Sequence, residues 1–157
     1  MEGKYSVWKL VYLAFGIFNI AAFLIPKKLS KIEIYANSFF AFTYGVTIDM
    51  ILDLHYDLYG YFEPGFQWLG LFAIFLYFPS ISILFLNLYP SKSNKGKKIL
   101  YIFAWTVFSL AFEWFCLHTK FYYLNGWKLW YSAISYPIIF SILLLNLKLV
   151  RRLINQM

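Results

Sequence analysis

The residues of this chain that can do chemistry are few and unevenly placed. Asp49 and Glu113 stand within long apolar runs, Asp53 stands where the first of those runs ends, and His55, Tyr56 and His118 lie close to the acids. A charge at the centre of an apolar span costs on the order of 2.5–3.5 kcal/mol on insertion scales, so something is expected to repay it. Asp49 and Asp53 are four residues apart, which puts both on one helix face with Ser38, Gly45 and Tyr56, while Glu113 falls on a stripe with Thr106, Ser109 and Cys116. If the stripes face each other, Asp49, Asp53 and Glu113 form a carboxylate pocket with His55 and His118 at its rim, and Tyr56 joins them as a candidate ligand-binding residue. Such a pocket can bind a cation, hold a shared proton or supply an acid and a base. The competing reading is structural: interhelical hydrogen bonds that hold a bundle together, with interfacial water, Lys120 or Lys128 satisfying the acids near helix ends. The ligand types would suit a metal, but no H-E-x-x-H spacing is present, nor a nucleotide loop, nucleophile elbow or triad pattern. No metal and no cofactor is expected.

The elements that carry these residues follow from composition. With 62% of residues apolar, 24% aromatic and only 13% charged, the expected solvent is a membrane. Five apolar runs, about 7–25, 34–52, 66–88, 99–117 and 127–147, are separated by short polar or tyrosine-rich connections. They predict an all-α membrane protein, a single transmembrane bundle over 1–157 with no separate soluble domain. The first run has its charges behind it, at Lys27, Lys28 and Lys31, and lacks a small-residue cleavage site, so it reads as a retained helix and not a secretory signal.

Counting Lys and Arg by side orients the bundle. Lys27, Lys28, Lys31, Lys92, Lys95, Lys97, Lys98, Lys148, Arg151 and Arg152 fall on one side, and Lys4, Lys9, Lys120 and Lys128 on the other. The asymmetry predicts the N-terminus outside and the C-terminus in the cytoplasm, with the acids gathered near the outer face. It also accounts for the net charge of +7 without nucleic acid, which would need a basic face on a water-soluble surface. Partners are expected among membrane lipids and in a homo- or hetero-oligomer.

Landmarks recur at a nearly constant offset: Asp53 with Glu113, Gly65 with Gly126, Trp68 with Trp127, Pro79 with Pro137 and Asn87 with Asn146. This spacing predicts an added first helix and two repeated hairpins, helices two with three and four with five, about an axis along the membrane normal. Matched kinks at the prolines would widen a cavity between the repeats. Trp68, Trp114, Trp127, Trp130 and the loop tyrosines read as headgroup-level anchors, Asn19, Asn87 and Asn146 as packing donors, and Cys116 as a small buried residue.

The segments Tyr56-Asp57-Leu58-Tyr59-Gly60-Tyr61-Phe62, Pro64-Gly65 with Trp68, Asn87-Leu88-Tyr89-Pro90, Glu113-Trp114 and Trp127-Lys128-Leu129-Trp130-Tyr131-Ser132-Ala133 resemble an uncharacterised family of membrane proteins from spore-forming Firmicutes. The likeness runs from helix two to the C-terminus. It implies a small polytopic protein of a bacterial inner membrane and transfers no functional residue. A fainter likeness is to the membrane-embedded lycopene cyclases, which also repeat helix hairpins with acids near helix ends, although their Pro-x-Glu-Glu or Pro-x-Glu-Asp motif is absent. The leading expectation is a protein that binds or moves an amphiphilic or cationic ligand through the outer-leaflet carboxylate pocket. The alternatives are a membrane-embedded enzyme acting on a lipid or isoprenoid, and an accessory subunit of a larger membrane complex.

Overall fold

A computed structural model describes residues 7–156. Lys4, one of the four cations expected outside, lies beyond them. Within the described residues the chain forms five α-helices, α1 (Trp8–Leu24), α2 (Lys31–Asp49), α3 (Trp68–Leu88), α4 (Lys95–His118) and α5 (Leu129–Ile154). A π-helical segment, Met50–His55, prolongs α2, and two strands, β1 (Tyr59–Tyr61) and β2 (Tyr122–Leu124), pair antiparallel as a ribbon. The protein is thus helical, as its apolar runs predict. Helices α3, α4 and α5 are long and apolar enough to cross a membrane, and α1 is a shorter apolar helix of 17 residues. Large apolar side chains such as Phe23, Leu13, Phe39 and Leu145 face outward, as suits a lipid surroundings.

Local signals set the helix boundaries at the basic end of the bundle. Ser30 and Glu33 form a capping box that starts α2: Glu33 N donates to Ser30 Oγ at 3.2 Å and Ser30 N to the Glu33 carboxylate at 2.6 Å. Asn94 caps α4 by accepting from Lys97 N at 2.9 Å, so this helix begins inside the basic loop. At its C-terminus α5 runs on through Lys148 to Ile154, with Arg151 and Arg152 in the last turn at the negative end of the helix dipole.

Successive helices run in alternating directions and are tied by polar side chains that leave water only by finding partners. Asn87, 1% exposed, fastens the α1–α2 connection, accepting from Lys28 N at 2.7 Å and donating to Pro26 O at 2.8 Å. Asn19 donates to Leu76 O of α3 at 3.0 Å and Asn146 to Asn37 of α2 at 2.9 Å. All three asparagines therefore act as packing donors. Pro79 removes one N–H from α3, and beside it Ser80 Oγ also donates to the Leu76 carbonyl, at 2.9 Å. Apolar packing fills the rest. Phe85 packs against Phe140 with the rings tilted and their centroids 4.5 Å apart, in the core toward the basic end, and Phe15 and Phe18 of α1 wedge against Tyr77 and Phe112. At Gly45 of α2 the close approach of α3 needs glycine, because an added Cβ would collide with the Phe78 ring.

The two tyrosine-rich loops, expected only as interfacial connections, close over the bundle as one unit. Tyr59 lies opposite Leu124, Gly60 opposite Tyr123 and Tyr61 opposite Tyr122. Leu58 O accepts from Asn125 N at 2.8 Å and Trp127 N at 3.0 Å, and Asp57 accepts from Asn125 Nδ2 at 2.8 Å. Three-residue strands are too short for an alternating pattern to register in a sequence, and their pairing joins segments more than sixty residues apart.

Candidate functional site

A cavity of about 330 Å³ runs between α2, α3, α4 and α5 beneath the ribbon. Its walls are mainly apolar, but Asp49 of α2 and Glu113 of α4 both line it. Each carboxylate is gripped by two hydroxyl donors. Tyr59 Oη donates to Asp49 Oδ1 at 2.7 Å and Tyr61 Oη to Asp49 Oδ2 at 2.9 Å. Ser132 Oγ donates to Glu113 Oε1 at 2.9 Å and Tyr136 Oη to Glu113 Oε2 at 2.6 Å. Trp127 Nε1 in turn donates to Ser132 Oγ at 2.8 Å, orienting that hydroxyl toward Glu113.

The positions of these donors follow from the elements below them. Tyr59 and Tyr61 are two apart on a strand, so both side chains leave the same face and reach one carboxylate. Ser132 and Tyr136 are four apart on α5 and likewise share a face. The ribbon phenols are held as donors. Burial, and then the Asp49 charge, push the Tyr59 and Tyr61 hydroxyls above the ordinary tyrosine range. Burial pushes the Tyr122 hydroxyl up as well. Neutral phenols stabilise a nearby negative charge by hydrogen bonding without adding a positive one.

Cations are missing where they would be expected. Among the described residues the one ion pair is Glu33 with Arg151, at 2.5 Å, at the basic end of α2 and α5. Neither Lys120 nor Lys128 forms an ion pair among the described residues, so the competing reading in which they satisfy Asp53 and Glu113 finds no salt bridge to support it. Two buried carboxylates thus face a shared aromatic-walled space with hydrogen-bond donors but no counter-charge.

The site residues marked by sequence divide into two groups. The structure brings Asp49 and Glu113 to one cavity. It also buries the whole α4 stripe of Thr106, Ser109, Glu113 and Cys116. Asp53 is buried but does not line the cavity, because the π-helical segment begins directly after Asp49 and its wider i→i+5 turn breaks the expected common face. His55 is exposed, its ring 4.6 Å from that of Tyr56, which is exposed too. His118 is exposed and its Nδ1 lies 2.8 Å from Trp114 O. These three stand outside the cavity. The buried face of α2 is Glu33, Asn37, Ala41, Gly45 and Asp49, with Ser38 off that line.

Sequence reasoning missed Tyr59, Tyr61, Trp127, Ser132 and Tyr136. The tyrosine spacing at 59 and 61 and the hydroxyl spacing at 132 and 136 were the signals available. Trp127, expected as a headgroup anchor, is half-buried over Ser132, whereas Trp68, Trp114 and Trp130 are more than half exposed. Comparison with known proteins finds no matching family model, no matching curated protein and no matching solved structure.

Proposed function

We propose that the chain is a five-span membrane protein, N-terminus outside and C-terminus inside, that binds a cationic amphiphile in the cavity between its two helical hairpins. The observation that carries this reading is the pair of buried carboxylates, Asp49 and Glu113, lining one aromatic-walled cavity with no basic side chain paired to either among the described residues. A cation placed there would gain from the carboxylates that line the cavity and from the faces of the surrounding rings. The orientation rests on the clustering of ten Lys and Arg at the end opposite the ribbon. The hairpin repeat is supported by parallel features: each ribbon loop holds a positive-φ glycine, Gly65 or Gly126, and each following helix holds one proline, Pro79 or Pro137.

Entry from the membrane fits the geometry. Helices α2 and α5 are tied at the basic end by Glu33–Arg151 and Asn37–Asn146, and toward the ribbon both line the cavity. Ile138 of α5 lines it while more than half exposed, so the cavity reaches the protein surface along that helix.

The test is binding of dodecyltrimethylammonium to the protein in nanodiscs, against dodecanol as the neutral probe of the same chain. Wild type is expected to prefer the cation. Asp49→Asn and Glu113→Gln should each cut that preference by about tenfold or more, since one charge pair in a partly polar site is worth on the order of several kcal/mol before desolvation. Equal binding of both probes by wild type, or unchanged preference in both variants, removes the reading. The short Tyr136–Glu113 hydrogen bond also suits an acid–base role on a bound lipid. A co-purified lipid whose mass changes with wild type and not with Glu113→Gln would make the site catalytic.

A further inference from the structure

Away from the carboxylates, Ser82 of α3 is 1% exposed, lines the same cavity, and its Oγ has no hydrogen-bond partner among the described residues. A helical serine in apolar surroundings ordinarily folds back onto a carbonyl one turn earlier, as Ser80 does onto Leu76 and Tyr77. Ser82 instead leaves a donor and an acceptor at the deep end of the cavity, an arrangement that costs free energy until something meets it.

The depth can be read from the packing. Helices α2 and α3 are antiparallel with Gly45 against Phe78, so one turn further toward the basic end Ser82 falls level with Ala41. Asp49 is eight residues along α2 from Ala41, which at about 1.5 Å per residue places the serine about 12 Å below the carboxylate. All of these residues line one continuous space.

The geometry points to a bipolar ligand: a single-chain amphiphile with its cationic head at Asp49 and Glu113 and a hydroxyl or carbonyl on the tail, about 12 Å deeper, bound to Ser82. This rests on the cation reading above and adds the identity of the tail. Ser82 is the residue that selects it.

Two alkyltrimethylammonium probes of equal chain length decide the matter, one plain and one carrying a hydroxyl at that depth, titrated into the protein in nanodiscs. Wild type is expected to bind the hydroxylated probe about 2- to 10-fold more tightly than the plain one, the range of one net hydrogen bond. In Ser82→Ala the preference should vanish or reverse, with the plain probe bound at least as tightly as by wild type, because its apolar tail no longer faces an unmet hydroxyl. Ser82→Cys, which keeps a side-chain donor of slightly larger size but weakens the hydrogen bond, should give an intermediate ratio. Equal binding of the two probes by wild type overturns the proposal, as does a preference that survives in Ser82→Ala. If the plain probe binds wild type and is weakened by Asp49→Asn, the cation reading stands even when the Ser82 arm fails. If the plain probe does not bind wild type, both fall.

Discussion

Removing one phenol hydroxyl tests whether the tyrosine clamp holds Asp49 in place. In Tyr59→Phe the ring is retained, with its neighbours Tyr122 and Trp127 at centroid distances of 5.4 and 5.7 Å, and only the donor to Asp49 Oδ1 is lost. Asp49 is 8% exposed, so water does not readily replace that donor. Hydrogen bonds to a charged group are worth about 1.5–3 kcal/mol, and Tyr59→Phe is expected to destabilise the protein by this amount. The hydroxyl matters only through its acceptor. With Asp49→Ala already in place the same change should cost about 0.5 kcal/mol or less, giving a coupling energy of at least about 1 kcal/mol in the double-mutant cycle. Unfolding of the four variants by sodium dodecyl sulfate in mixed micelles, followed by far-ultraviolet circular dichroism, measures each corner of the cycle. A Tyr59→Phe cost that is the same with and without the Asp49 carboxylate would refute the clamp.

Two further changes probe the packing around the cavity. In Gly45→Ala the new methyl meets the Phe78 ring, which also lines the cavity, so overpacking should cost about 1–3 kcal/mol and weaken dodecyltrimethylammonium binding, with Phe78→Leu restoring both melting temperature and affinity. At the basic end, Glu33 sits in the first turn of α2, ahead of the apolar run that begins at Ile34. Its burial alone would raise the carboxyl, but hydrogen bonds from Arg151 and Ser30 outweigh this and hold it below the usual carboxylate range. A depressed folded value means stabilisation that is complete above the unfolded carboxylate range and is lost as pH falls through the folded value. Arg151 is half exposed, so Arg151→Ala is expected to cost only about 1 kcal/mol at neutral pH, and the gap between wild type and variant should close on acidification in thermal melts taken at a series of pH values.

Much of the architecture was legible in the residues themselves. Apolar runs of about twenty residues, broken by Pro26, Pro64-Gly65 and the basic loop at 91–98, locate the five helices, because hydrophobic length and turn chemistry act locally. The acids at 49 and 113 stood out for the same reason: a carboxylate within such a run is costly wherever the helix goes. The capping box of Ser30 and Glu33 was equally visible in principle, though the partner of Glu33 was not. That partner, Arg151, lies 118 positions away and meets it only because α2 and α5 pack side by side.

What the tertiary structure alone decided is the surroundings of the carboxylates. Tyr59, Tyr61, Ser132 and Tyr136 carry no marking that separates them from the other tyrosines and serines until the loops pair and α5 turns one face inward. The π-helical turn after Asp49 withdraws Asp53 from the cavity, a local change of winding that the sequence periodicity does not report. Residue type and spacing report what each helix buries, since that depends on contacts within a few residues. Which hydroxyl meets which carboxylate depends on register between distant segments, and only the folded chain supplies it.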